Sequence, residues 1–109
     1  GWRPVFMHFR GTSGEPNRLP RYYHSGDTAD VASVIHDLKK KNPGVPIAAI
    51  GISLGGNVLL KWLGETGMNN TLIAAVAVSV PFELNQATHT MNKGFSKIYQ
   101  WRLLKQLRR

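Results

Sequence analysis

Gly51-Ile52-Ser53-Leu54-Gly55-Gly56 decides how this chain is read. Its serine stands between an apolar run, Ile47 to Ile50, and an apolar-periodic stretch that begins at Leu54. A serine on a sharp strand-to-helix turn must adopt a strained backbone conformation if its Oγ is to stand clear of the sheet, and flanking glycines leave room for that turn. GxSxG with a strand before it and a helix after it is the pattern of a nucleophile elbow. The first expectation is therefore a serine hydrolase with Ser53 as nucleophile.

On either side of the elbow the chain alternates between two periodicities. Val45 to Ile50 reads as a strand whose alanines let helices pack closely. Leu54, Val58, Leu59, Trp62 and Leu63 keep helical spacing up to Gly64 or Gly67, and Gly55 and Gly56 are expected where that helix passes close to the strand. Leu72 to Val80 is a continuous, largely β-branched run, expected to be a strand covered on both faces and ended by Pro81. Upstream, Val31, Val34, Ile35 and Leu38 mark a helix over Asp27 to Lys41, with Ser25, Asp27 or Thr28 as cap and Asn42-Pro43 as stop. Lys39, Lys40 and Lys41 suit the negative end of its dipole better than a binding patch. Val5 to Phe9 reads as a further strand buried on both faces. Strands alternating with helices predict an α/β class with a parallel sheet and right-handed crossovers, built from residues 1–82 as strand, helix, strand, elbow, helix and strand.

Between the first strand and the first helix, Gly11 to Gly26 offers turn chemistry without a period. A loop of this length is either a surface connection or a functional rim. Leaving the carboxyl end of a strand, it would share an edge with Ser53, which makes Arg10, Gly11 and His24 candidate pocket-rim residues.

Composition excludes several function classes. Net charge is +8, yet after Glu83 there is no acid at all, so the excess lies in Lys93, Lys97, Arg102, Lys105, Arg108 and Arg109. A basic field over the whole chain, as a nucleic-acid binder needs, is not present. Phe95, Ile98, Tyr99, Leu103 and Leu107 can share one arc of a basic amphipathic helix over 95–109. That arc could pack on the rest of an enzyme, or meet an anionic lipid surface or a partner. With no cysteine there is no disulfide framework or thiolate metal site, which fits a cytoplasmic enzyme, and neither metal nor cofactor is expected.

In the chemistry expected here, Ser53 Oγ attacks an ester carbonyl and the backbone N–H of Leu54 holds part of the developing oxyanion. A base and its carboxylate partner should follow the serine in the order Asp or Glu, then His. After Ser53 the chain offers Glu65, Glu83 and His89. Glu65 belongs to the far end of the nucleophile's own helix and His89 follows a strand at once, so neither fits a triad. His8, His24 and His36 precede the serine. The triad Asp and His are thus not expected in this chain, which reads as an internal fragment of a longer hydrolase. A nucleotide-binding loop is disfavoured, because the GxGxxG spacing is not met and no GK[ST] follows. A non-catalytic interaction domain of the same architecture is the alternative.

His8-Phe9-Arg10-Gly11-Thr12-Ser13-Gly14-Glu15-Pro16-Asn17-Arg18, Tyr23-His24-Ser25-Gly26-Asp27-Thr28, Gly51-Ile52-Ser53-Leu54-Gly55-Gly56-Asn57 and Val80-Pro81-Phe82 resemble the YheT-like branch of the α/β-hydrolase superfamily, the AB hydrolase 4 family. The resemblance runs from about Val5 to the end of the chain. It implies an α/β-hydrolase fold, hydrolysis of medium-chain or acylglycerol-type carboxylic esters, and a Ser, Asp, His triad of which only the serine maps here, onto Ser53. It also implies that residues 83–109 begin the cap over the pocket.

Overall fold

A computed structural model describes residues 1–83 together with Trp101 and Lys105. The amphipathic helix expected over 95–109 lies, apart from those two positions, outside the described residues, as does His89. Lys105 Nζ stands 5.1 Å from the centroid of the Trp101 ring.

Helix α1 spans Ala29–Lys41 and begins two residues after the expected start, because Thr28 is its N-cap residue. Asp30 occupies its first turn and Lys39, Lys40 and Lys41 its last, each charge at the end of the dipole that favours it. Asn42 closes the helix, its backbone N–H and its side-chain Nδ2 both donating to Leu38 O, at 3.0 and 2.9 Å. Strand β1 is Ala48–Ile52, shifted toward the elbow from the expected Val45–Ile50. Val45 is still in a turn, with its N–H on Asn42 O, and Pro46 has no N–H to give a ladder. Helix α2, Leu54–Thr66, follows Ser53 directly and runs into a 3-10 turn over Gly67–Asn69, where Gly67 takes φ +51°. Strand β2 is Ala74–Val78, shorter than the expected run because Ser79 leaves the ladder at φ +52°.

β1 and β2 pair in parallel, Ala48 opposite Ala74 and Ile52 opposite Val78, so β1, α2 and β2 form one β-α-β unit. This is a parallel sheet with helices against it, the α/β class that the sequence predicts. Ile35 of α1 meets Leu59 and Trp62 of α2 in the core, with Val31, Ala32, Ala49, Leu63 and Leu72 packed around them. Val58 is completely buried under α2. Among the described residues no helix is long and apolar enough to cross a membrane.

Two expectations are corrected. Among the described residues the strands are not covered on both faces: α1 and α2 lie on the Ala49 and Gly51 side of the sheet, leaving Ile50 72 % and Ile52 66 % exposed beside Val76 and Val78. Val5 to Phe9 forms no strand, and Val5, Phe6 and Met7 are exposed. An apolar run becomes a strand only when a neighbour accepts its ladder bonds, and the described sheet contains β1 and β2 alone.

Candidate active site

Ser53 sits where β1 ends and α2 begins, with φ +52° and ψ −119°. A non-glycine residue in that region is strained and persists only where its surroundings over-determine it. Here they do so from both sides. Ser53 N–H donates to Val78 O of the adjacent strand at 2.9 Å, while Ser53 O accepts from the N–H groups of Gly56 and Asn57 at 2.9 and 3.3 Å. The first pins the residue to the sheet and the second to the helix, and its side chain remains exposed.

Glycine makes this junction close. A Cβ on Gly51 would stand 2.5 Å from Gly55 O and 2.8 Å from Gly56 Cα, so the first turn of α2 rests directly on the β1 backbone. A Cβ on Gly56 would meet a Val80 methyl at 2.5 Å and Gly51 O at 3.2 Å. Gly55 is different: a Cβ there would meet nothing within 4 Å. The close approach expected of Gly55 and Gly56 thus belongs to Gly56 and Gly51, with Gly55 contributing its backbone. Leu54 occupies the first helical position, whose N–H has no intrahelical acceptor and points along the positive end of the dipole. An exposed hydroxyl next to such an amide is the local geometry that acyl transfer needs.

The other candidate residues have partners elsewhere. Arg10 forks onto Asp30 in the first turn of α1, Nε donating to Oδ2 at 2.9 Å and Nη2 to Oδ1, a contact that raises the guanidinium pKa further. Gly11 takes φ +75° in a turn closed by Thr12 N–H on Phe9 O at 3.1 Å. His24 closes the next turn, its Nδ1 accepting from Gly26 N–H at 3.1 Å. A Cβ on Gly26 would be 3.5 Å from Lys61 Cε. Lys61 is about 10 Å along α2 from Leu54, at the rise of ~1.5 Å per residue of an α-helix. Thr28 reaches further still, donating to Glu65 at 2.6 Å. The loop's contacts therefore tie it to the start of α1 and the later half of α2, and none of these bonds involves Ser53.

Electrostatics follow the same division. Asp27 is buried, accepts from Arg21 Nη2 at 2.5 Å, and keeps a second carboxylate oxygen with no partner among the described residues. The Arg21 bond holds its pKa below the usual range against the opposing effect of burial. Glu65 is likewise lowered, first by Lys61 and then by Thr28. Both carboxylates are committed to fastening the loop and the helices. His8, His24 and His36 are exposed and none is hydrogen-bonded to Ser53. Among the described residues no three His, Asp or Glu side chains are grouped to hold a metal. What sequence reasoning missed is the segment after β2: Ser79 with φ +52°, and Pro81 O, which accepts from Asn57 Nδ2 at 3.0 Å. The available signal was an asparagine one turn after the serine, in a first half of α2 that is otherwise apolar or glycine.

Comparison with known proteins agrees with this geometry. The chain is 48 % identical over 108 residues to the putative esterase YheT of Escherichia coli, covering 99 % of this chain and 32 % of that protein. It is 40 % identical over 80 residues to the mouse phospholipase ABHD3, covering 73 % of this chain and 20 % of the other. With the monoacylglycerol lipase of Saccharomyces cerevisiae it shares 32 % over 83 residues, 76 % of this chain and 18 % of the lipase. No family model and no solved structure matches. The chain spans about a third or less of the length of these relatives. A parallel β-α-β unit with a strained serine at its elbow, matched over 99 % of the chain by the YheT esterase, belongs to the α/β-hydrolase superfamily. Within that superfamily the chain belongs with the YheT-like proteins.

Proposed function

We propose that Ser53 is the nucleophile of a carboxylic-ester hydrolase. The observation that carries the reading is its conformation: φ +52° at the strand-to-helix junction, with main-chain bonds to Val78 and α2 and an exposed side chain. Ser53 Oγ attacks the ester carbonyl, the Leu54 N–H stabilises the oxyanion, and the alcohol leaves as the acyl-enzyme forms. Water then releases the acid. The general base and its carboxylate partner come from outside the described residues, since Glu65 is held by Lys61 and Thr28.

The relatives named esterase, phospholipase and monoacylglycerol lipase support an ester substrate, and we take it to be of the short- or medium-chain or acylglycerol type. Arg10, Gly11 and His24 contribute to the pocket rim only through the loop they brace, and segment 95–109 is a candidate contact with a lipid surface. No cofactor or nucleic acid enters the reading, and the compartment it suits is the cytoplasm.

Hydrolysis of 4-nitrophenyl butyrate by the complete protein tests this. Ser53→Ala is expected to lower kcat by about 10⁴-fold or more, as loss of a serine nucleophile does. Turnover unchanged in Ser53→Ala would remove Ser53 from the chemistry, and no turnover by the unaltered protein across acyl chain lengths would favour a non-catalytic interaction domain.

A further inference from the structure

The last residue of the β2 ladder and the turn that follows it meet the elbow at three points. Val78 O accepts the Ser53 N–H, and Ser79 then turns the chain with φ +52°. A Val80 methyl occupies the space that a Cβ on Gly56 would take, and Pro81 O accepts from Asn57 Nδ2 at 3.0 Å. Proline has no N–H, so its carbonyl is its one backbone polar group, and the asparagine amide satisfies it. Asn57 also grips Ser53 itself, its backbone N–H lying 3.3 Å from Ser53 O. One residue thus holds the nucleophile's main chain with its backbone and the turn after the neighbouring strand with its side chain.

The asparagine amide is satisfied at one end and not at the other. A carbonyl can only accept, so Nδ2 faces Pro81, and Oδ1 is left buried with no partner among the described residues. A buried acceptor without a donor is unfavourable, and an apolar side chain of the same size would remove that cost only by taking the donor from Pro81 O. What leucine or alanine could not do is hold the 79–81 turn against the first turn of α2.

Resting on the reading of Ser53 as nucleophile, we propose that Asn57 is a positioning residue: through Pro81 it clamps the turn after β2 onto α2 and so keeps the Ser53 Oγ and the Leu54 N–H in register for acyl transfer. Without the clamp, the turn is held by Val80 packing on Gly56, and Ser53 can relax from its strained conformation. Displacement of a reacting group by about 1 Å costs on the order of 100-fold in rate.

The test is the rate of Ser53 modification by a fluorophosphonate in the complete protein, compared with thermal melting of each variant. Asn57→Leu and Asn57→Ala are expected to react about 10- to 100-fold more slowly while still melting cooperatively. Thr28→Val, which removes the remote bond to Glu65, is expected to stay within about twofold of the unaltered protein. Rates for Asn57→Leu and Asn57→Ala within twofold of the unaltered protein would overturn the proposal. So would an equal slowing in Thr28→Val, which would make the effect one of general stability. If the unaltered protein does not react at all, the nucleophile reading fails and this proposal falls with it; reaction of the unaltered protein, blocked by Ser53→Ala, separates the two failures.

Discussion

The stretch from Ala48 to Pro81 and the stretch from Gly1 to Gly26 are both apolar in part and rich in glycine, yet only the first is organised into strands and helices. In the first, each requirement is met within about thirty residues: β1 finds β2, α2 covers the face between them, and glycine stands where two backbones meet. In the second, Val5, Phe6 and Met7 have no ladder partner among the described residues, and order comes from side chains instead. Arg3 reaches Asn42, Arg10 forks onto Asp30, and Phe9 stacks on Tyr23 with ring centroids 4.7 Å apart. A β-α-β unit closes through local connections, whereas a lone apolar segment depends on a neighbour being supplied.

The comparison can be broken most forcefully in the core of the organised region. Trp62→Ala, at a residue 7 % exposed between Ile35 and Leu59, is expected to cost about 3–5 kcal/mol in urea denaturation of the 109-residue chain. A loss below 1 kcal/mol would mean that α1 and α2 do not share a core. Next come the elbow glycines. Gly51→Ala places a Cβ against backbone that cannot yield, and Gly56→Ala places one against Val80, each costing about 1–3 kcal/mol. Gly55→Ala meets open space inside a helix and should be neutral or stabilising by up to about 1 kcal/mol. Equal losses at all three positions would contradict the packing described here.

Acid should loosen the ion pairs that fasten the loop and α2. The pKa of Asp27 is lowered chiefly by Arg21 and that of Glu65 chiefly by Lys61. A carboxylate with a depressed folded-state pKa lends stability that is full above its unfolded value, about 4, and is lost as pH falls through the folded one. The melting temperature should therefore fall below about pH 4, and Arg21→Gln together with Lys61→Gln should flatten that fall. An unchanged profile in the double variant would show that these pairs carry no linkage. Smallest of all, Phe6→Ser, at a residue 85 % exposed, should stay within about 0.5 kcal/mol. A large loss would mean that the N-terminal segment is packed after all.

The same division decides what could be read from sequence. The elbow was legible because its turn demands glycine and serine at fixed spacing, and α1 and α2 because their apolar residues repeat at helical intervals. The absence of a strand at Val5 to Phe9 was not, since hydrophobicity marks a segment that can pair without showing what it pairs with. Nor could Leu72 to Val80 reveal that its ladder ends at Val78, because Ser79 carries no signature of a positive φ. Glycine identity at Gly55 suggested a close approach, but which glycine is crowded depends on how α2 sits over β1. The link between Asn57 and Pro81 spans 24 residues and exists only once β2 lies beside β1.

The most direct test of Ser53 as nucleophile is covalent. The complete protein is treated with a fluorophosphonate, digested, and its peptides are mapped by mass spectrometry. The adduct is expected on Ser53 alone and absent from Ser53→Ala, with ester hydrolysis lost in proportion to labelling. An adduct on another serine, or hydrolysis that persists when Ser53 is fully modified, would contradict the assignment.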